Sequence, residues 1–527
     1  MGGIMQEWLI CLLFLVPMLL VSVPVSRMWD SEEVRRTLQK IPKAVLFLGE
    51  WIGSTIVILL FLRFASEWWY DCTFNIFYWV VGNIAGSIWL IYLIQMYRTF
   101  QDRLDLVFAL VMIPVGIAFT FFMLPDYVPD EQAHFQRAYL VSNLKLKPLT
   151  NVSIDAEYGV RKLSDYKKIF TYCHFNFHPE YQVLEEAANY NFLVYVIPAV
   201  AIGLGRLLHL SVYTCYYMGR MANLAMFVVL MSYAIRIVPK GKKIFFVFCF
   251  NPMLIHLVAS YSSDALVCSV CILTVANFLY LYQKEEISNW DIVITMTLFF
   301  VLAIIKYVYL PLFGIYFAVF PKLFRISKKG VLTLLGSITV GLLCLLAAMK
   351  LGAYAETPSV QLEYLAARSV DSTGQIRYLL EDGTRLFTML RNTLKEYGQF
   401  YFESMIATLG WLDIVTGPVV QYGFVGLLTV SAFMESAKVR WINRIWMICI
   451  ALMVGVLVIL GLYLMWSPVG WVTSEGVQGR YFIPSLLLLP IALSNDLLKK
   501  IGYQQILMVG VIIINAVAMN GILQHFL

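Results

Sequence analysis

The chain has 527 residues, 60% of them hydrophobic and only 14% charged, with a mean hydropathy of +0.75. That balance excludes a soluble globular protein, and repeated apolar runs near the roughly 20 residues that span a bilayer mark an all-α polytopic membrane protein. The net charge of +6 calls for no nucleic-acid partner, because much of it sits in short basic loops of the kind that set membrane orientation.

In chain order, the first predicted spans are 9–26, 44–64, 76–96 and 107–124. The run Leu9 to Val25 lacks a basic n-region and reads as a retained helix rather than a cleaved signal. Basic residues cluster between the first and second spans (Arg27, Arg35, Arg36, Lys40, Lys43) and between the third and fourth (Arg98, Arg103). The positive-inside rule then puts the N-terminus outside, and the fourth span emerges outside.

What emerges is Pro125-Asp-Tyr-Val-Pro-Asp-Glu-Gln-Ala-His-Phe-Gln-Arg-Ala-Tyr139. A helix beginning at Pro129 places Asp130 in its first turn, where the helix dipole favours a carboxylate. Asp130, His134 and Arg137 then fall at i, i+4 and i+7 on one face, with Glu131 beside them. A bland interfacial helix with charges facing water is the competing reading. Residues 125–190 form a long external loop expected to carry juxtamembrane helices, and loops of this length are usually functional. Its Asn151-Val-Ser153 sequon is taken as chance. Cys173, His174 and His178 are taken as packing or solvent contacts, not zinc ligands. The nine cysteines are scattered, and neither a zinc ribbon nor a redox centre is expected.

The apolar run 191–210 is broken by Pro198, Gly203, Gly205 and Arg206 and reads as a re-entrant or juxtamembrane hairpin. That keeps Lys240, Lys242 and Lys243 inside. Spans follow at 217–238, 244–260 and 265–283. Two short spans, 291–305 and 307–320, flank Lys306, which is costly in lipid without an anionic partner or water. Spans at 331–351, 416–434, 445–465, 481–495 and 504–523 complete the count, with a second external stretch at 352–414. The total is fourteen spans plus the hairpin, with both termini outside and no internal repeat.

This topology brings Asp130, Glu131, His134, Arg137, Arg220, Asp264, Lys306, Asp413 and Arg480 to one level, the outer leaflet. Ionisable groups at such depth are functional candidates. Carboxylates serve as general bases or metal ligands. Cations beside apolar surface suit a phosphate whose tail lies in the bilayer, Arg by bidentate contact and Lys as a point charge. The pattern fits transfer from a lipid-linked phosphate donor.

Pro-Asp-Glu-x-x-His-Phe-x-Arg-Ala at 129–138, Ser-Ser-Asp-Ala at 262–265 and Gln-Gly-Arg-Tyr-Phe-x-Pro at 478–484 resemble the bacterial DUF2142 membrane proteins. Those in turn are similar to the GT-C glycosyltransferases, which include protein O-mannosyltransferases and aminoarabinose transferases. The resemblance covers roughly 105–500. It implies a GT-C-like helical bundle, a catalytic base at Asp130 with Glu131 beside it positioning the acceptor or a metal, and a lipid-phosphate site at Lys306 and Arg480. His134, Arg137, Arg220, Asp264 and Asp413 are expected as substrate-binding groups. A divalent cation, Mg or Mn, stays open, because metal dependence varies across that superfamily. The expected divisions are 1–104 as added N-terminal spans, 105–330 as the core, and 331–527 as a C-terminal membrane region. The expected partners are a polyprenyl-phosphate sugar and a glycan or glycolipid acceptor at a bacterial plasma membrane. A flippase, a polymerase or ligase of different fold, and a scaffold are the rivals.

Overall fold

The computed structural model describes residues 103–146, 190–210, 212–323, 327–352, 367–499 and 504–526. The predicted spans between 9 and 96, the sequon and the Cys173, His174, His178 group lie outside the described residues. Most described residues belong to one compact unit, Met112–Gly502 with Ile514–Leu527, while 104–111 and 504–513 belong to a second. The candidate site lies wholly in the first.

The described elements are helical except for one small hairpin. They are α1 (Leu104–Phe122), α2 (Glu131–Ser142), a 3₁₀ turn (Phe192–Tyr195), α3 (Val196–Leu207), α4 (Val212–Ile237), α5 (Lys242–Cys249), α6 (Pro252–Val258), α7 (Ser263–Gln283) and α8 (Asn289–Lys306). A long 3₁₀ helix (Tyr307–Ala318) and a single helical turn (Phe320–Leu323) follow, then α9 (Lys328–Gly352), α10 (Ser372–Glu381), α11 (Thr384–Ser404), β1 (Thr408–Leu409), β2 (Ile414–Val415), α12 (Pro418–Met434) and α13 (Trp441–Trp466). A 3₁₀ turn (Gly479–Phe482), α14 (Ile483–Leu486), α15 (Leu488–Leu493) and α16 (Gln504–Phe526) end the chain. The two strands pair antiparallel, Thr408 opposite Val415 and Leu409 opposite Ile414.

Among the described residues, seven helical stretches are long and apolar enough to cross a membrane: Leu104–Phe122, Val212–Ile237, Ser263–Gln283, Asn289–Ala318, Lys328–Leu351, Trp441–Trp466 and Leu507–Phe526. Eleven of the fourteen expected spans fall among the described residues, where these seven stretches stand in their place. Several expected spans are shorter pieces here. The 244–260 run splits into α5 and α6 at Phe250-Asn251-Pro252, where the Asn251 side chain accepts from the Met253 and Leu254 N–H groups and starts a new helix with proline at its first position. The 191–210 run is a short apolar helix, Phe192–Leu207, as are Pro418–Met434 and Gly479–Leu493.

The stretch Asn289–Ala318 is helical throughout but is not one straight rod. Lys306 leaves the helical region (φ −165°, ψ 84°) and the chain folds back. The rings of Phe299 and Phe313 come within 5.1 Å of each other, and Asn277 Nδ2 donates to both Thr295 Oγ1 and Tyr316 Oη. A straight helix would hold residues 14 apart about 21 Å apart. Lys306 is therefore the tip of a hairpin, at the point where the sequence places the break.

The most buried span is α7, while α9 is the least buried and packs along α8. The two ends of α7 differ in character. At its C-terminal end, Lys322 Nζ donates to the carbonyls of Leu281, Tyr282 and Lys284. Nearby, Gln283 binds the Ala437 carbonyl, and Lys438 pairs with Asp496. At its N-terminal end the Ser262 hydroxyl accepts from the Asp264 N–H, so Asp264 sits in the first turn, where the dipole favours it.

Candidate functional site

Helix α2 starts at Glu131, two residues later than the Pro129 start the sequence implies. Asp130 is its N-cap in the left-handed region (φ 61°), with no side-chain cap bond, and Glu131 takes the first turn. Asp126 has the same unusual backbone (φ 63°). Left-handed geometry is uncommon outside glycine, and aspartate is among the residues that tolerate it best.

Glu131 and Arg220 form an ion pair with neither side chain exposed to solvent. Arg220 Nε donates to Oε1 at 2.8 Å and Nη2 to Oε2 at 2.6 Å, the bidentate arrangement. Arg220 Nη1 donates to the carbonyls of Thr120 and Met123, and Nη2 to that of Leu124. These carbonyls lie at and just past the end of α1, and only that of Leu124 also accepts a following backbone N–H among those described, from Tyr127. All five N–H groups of this guanidinium are thus engaged. Glu131 is equally committed: besides Arg220 it accepts from the backbone N–H of Asp126 and of Tyr261. Gly219 leaves room for the Tyr261 ring, since a Cβ there would collide with its hydroxyl. This pair binds α1, α2, α4 and the 261–264 segment together, and leaves Glu131 little capacity for an acceptor or a metal and Arg220 none for a phosphate.

A second cluster adjoins it, three residues along from Tyr261. Lys306 Nζ lies 2.8 Å from Asp264 Oδ1, and Arg480 Nε lies 3.8 Å from Asp264 Oδ2. Lys306 keeps 20% of its side chain exposed, while Asp264 and Arg480 keep 6% each. Tyrosines wall the site: Lys306 Nζ is 5.7 Å from the Tyr190 ring, 5.9 Å from Tyr309 and 5.1 Å from Tyr481, and the Arg480 guanidinium is 5.3 Å from Tyr481. The Tyr309 hydroxyl donates to the Tyr481 carbonyl, tying the hairpin tip to the Arg480 segment. Gly479 lets that segment approach α11, because a Cβ there would strike the Tyr401 carbonyl and the Met405 nitrogen. Arg480 Nε is buried without a hydrogen-bond partner.

His134, one turn along α2 from Glu131, faces this cluster. Its Nδ1 is 2.6 Å from the Tyr195 hydroxyl, and its ring meets Tyr190 edge-on at 5.3 Å. Burial lowers its basicity to a pKa of about 3, with Arg480 and Lys306 adding to the effect and Asp264 opposing it. The ring is therefore neutral at physiological pH. Asp126 moves the other way, to about 7, because it is desolvated and beside Glu131, with Arg220 partly offsetting both.

The structure thus joins His134, Asp264, Lys306 and Arg480, and separately joins Glu131 with Arg220. The remaining candidates are elsewhere. The Arg137 Nη2 donates to the Leu146 carbonyl at 2.5 Å. Asp413, in the turn between β1 and β2, faces His525 Nε2 at 3.5 Å, close to where Trp411 Nε1 donates to the Asp126 carbonyl. Tyr190, Tyr195, Tyr309 and Tyr481 were not among the residues the sequence marked, although Tyr481 adjoins Arg480 in the Gln-Gly-Arg-Tyr-Phe motif. Cys268 and Cys271 have C-x-x-C spacing on α7, and both are buried free thiols. Among the described residues, no group of three or more His, Cys, Asp or Glu side chains is placed to hold a metal ion. Glu131 is committed to Arg220 and two amides, and Asp264 faces two cations, so neither of these two carboxylates is set up as a ligand for a divalent cation.

A bundle of apolar spans enclosing charged pairs defines a multi-pass helical membrane protein. A family model described as predicted membrane protein (DUF2142) matches residues 113–489, and the chain belongs to that family. All of His134, Arg220, Asp264, Lys306, Asp413 and Arg480 lie inside the matched region. No curated protein and no solved structure matches the chain.

Proposed function

We propose that this protein is a GT-C-type glycosyltransferase that moves a sugar from a polyprenyl-phosphate donor to a cell-envelope glycan or glycolipid on the outer face of a bacterial plasma membrane. The observation that carries this reading is the charge at the hairpin tip. Lys306 and Arg480 converge on the single carboxylate of Asp264, and the Arg480 Nε has no hydrogen-bond partner. With His134 neutral, the four side chains carry one net positive charge in a nearly closed setting, which suits a phosphate. The basic loops at the opposite end of α7 support an outward orientation for this end.

In the proposed reaction an acceptor hydroxyl oxygen attacks the anomeric carbon of the donor. The bond from that carbon to the phosphate oxygen breaks, and its electron pair leaves with the lipid phosphate. Lys306 and Arg480 stabilise the charge that grows there, usually the larger contribution to rate. Asp130 takes the hydroxyl proton, an effect typically worth about 10²–10⁴-fold. Asp130 is chosen because it begins the helix that carries His134 toward the cluster, while Glu131 is spent on Arg220. Asp264 holds the two cations at their spacing, and no step passes through a metal.

The test is purified full-length protein in vesicles, supplied with radiolabelled polyprenyl-phosphate sugars and envelope glycan acceptors. Wild type is expected to consume one donor, and Asp130→Asn to be inactive while eluting and melting as wild type does. Full activity in Asp130→Asn removes Asp130 from the chemistry. Movement of intact lipid between leaflets with no sugar transferred replaces the enzyme reading with a flippase.

A further inference from the structure

A cavity of about 710 Å³ runs between α8 and α9. Met296, Phe300 and Ile304 line it from α8, and Gly336, Val340 and Ala348 from α9, each set spaced by fours, threes or their multiples, so that each forms one stripe of its helix. The α9 stripe is rich in small side chains, which leaves the space open. Phe192 and Leu193 of the first 3₁₀ turn also line it. The neighbouring Asn191 Nδ2 donates to the Ala348 carbonyl, and Tyr190 stands beside Lys306. Ile304 is two residues before Lys306. The apolar groove therefore ends beneath the cluster that carries a net positive charge and a buried Arg480 Nε with no hydrogen-bond partner.

We propose that this groove holds the isoprenoid tail of a single-chain polyprenyl phosphate whose head group sits on Lys306 and Arg480. The proposal rests on the lipid-phosphate reading of those two cations. One groove leading to one cationic end fits a lipid with one tail. A glycerophospholipid would have to leave its second tail outside. Apolar surface supplies affinity along the groove, at roughly 25 cal/mol for each Å² buried, and the cations fix the register.

Gly336 gives a clean way to fill the groove: an added Cβ there meets no atom within 4 Å. Gly336→Phe and, as an independent blocker, Val340→Phe would be compared with wild type as intact protein in phosphatidylethanolamine–phosphatidylglycerol vesicles. The probe is polyprenyl phosphate carrying a diazirine on its tail. Photolysis is expected to label peptides from 289–306 and 328–352 in wild type, and at least tenfold less in either filled variant that elutes as wild type does. Equal labelling by phosphatidylglycerol with a diazirine tail, labelling elsewhere, or undiminished labelling in both variants overturns the proposal. Sugar transfer separates the two readings. Filled variants with an unchanged donor KM remove the groove and leave the enzyme. Specific labelling of the groove without any transfer removes the enzyme and leaves the groove.

Discussion

Replacing Glu131 with alanine removes the acceptor for four hydrogen bonds, two from Arg220 and one each from the Asp126 and Tyr261 amides. Arg220 stays behind, fully buried, with its charge uncompensated on that side. Removing one partner of a buried ion pair costs about 3–5 kcal/mol, because the survivor keeps its desolvation penalty without its counter-charge. The Tyr261 amide, left without a partner, adds about 1–3 kcal/mol unless water reaches it, while the Asp126 amide keeps the Tyr216 hydroxyl as its acceptor. Glu131→Ala should therefore lower the thermal midpoint in detergent sharply, as should Arg220→Ala, which takes the guanidinium donor from the Thr120 and Met123 carbonyls. Glu131→Leu with Arg220→Met, an apolar pair in the same space, should be less damaging than either alanine variant. The assay is thermal unfolding followed by size-exclusion elution, with the three variants and wild type in one detergent. If Glu131→Ala melts with wild type and has lost only sugar transfer, the structural assignment fails and Glu131 belongs to the chemistry.

Two further outcomes follow from the same geometry. Lys306→Met and Arg480→Met should each raise the donor KM at least tenfold, about 1.4 kcal/mol of binding. Initial rates against donor concentration measure this, and an unchanged KM in both variants excludes a phosphate at the hairpin tip. The pH dependence of stability should show two opposed limbs. His134 has its pKa lowered to about 3, so its contribution is complete above the ordinary histidine value of 6.5 and is lost as pH falls from there toward 3. Asp126 has its pKa raised to about 7, so its contribution is complete below 3.8 and is lost as pH rises toward 7. His134→Asn should flatten the acid limb and Asp126→Asn the neutral one. Thermal midpoints from pH 4 to 8 that keep both slopes in both variants would show that neither group is desolvated as described.

The sequence was informative where a local rule decides the outcome. The Pro-Asp-Glu stretch begins a helix as helix-start signals predict, and His134 and Arg137 lie on it at the expected spacing. Lys306 interrupts an apolar run and marks the turn. Ser262 caps the helix that carries Asp264. Partner choice is a different matter, because it depends on which distant segments meet. Glu131 and Asp130 are indistinguishable by position, yet one is bound to an arginine 89 residues away and the other is a half-buried cap. Arg220 reads as a phosphate ligand until the ends of α1 are seen to occupy it. Asp413 was grouped with the cations by level alone, and its nearest charged neighbour in the structure is His525. The tyrosine walls come from three separate places in the chain, around Tyr190 and Tyr195, at Tyr309 and at Tyr481, so no spacing announces them. The split of 244–260 was legible in principle: Asn251-Pro252 is a helix-start pair inside an otherwise apolar run.

The return limb of the hairpin is wound as a 3₁₀ helix over twelve residues. At a rise of about 2.0 Å per residue it reaches about 24 Å, where an α-helix of the same residues would reach about 18 Å. Lys306, the last residue of α8, is where the two limbs join, and the Tyr309 hydroxyl on the return limb ties that junction to the Arg480 segment. The return limb thus spans the depth of the bundle with fewer residues than the α-helical limb that leads into it, and the cation stands where the two windings meet.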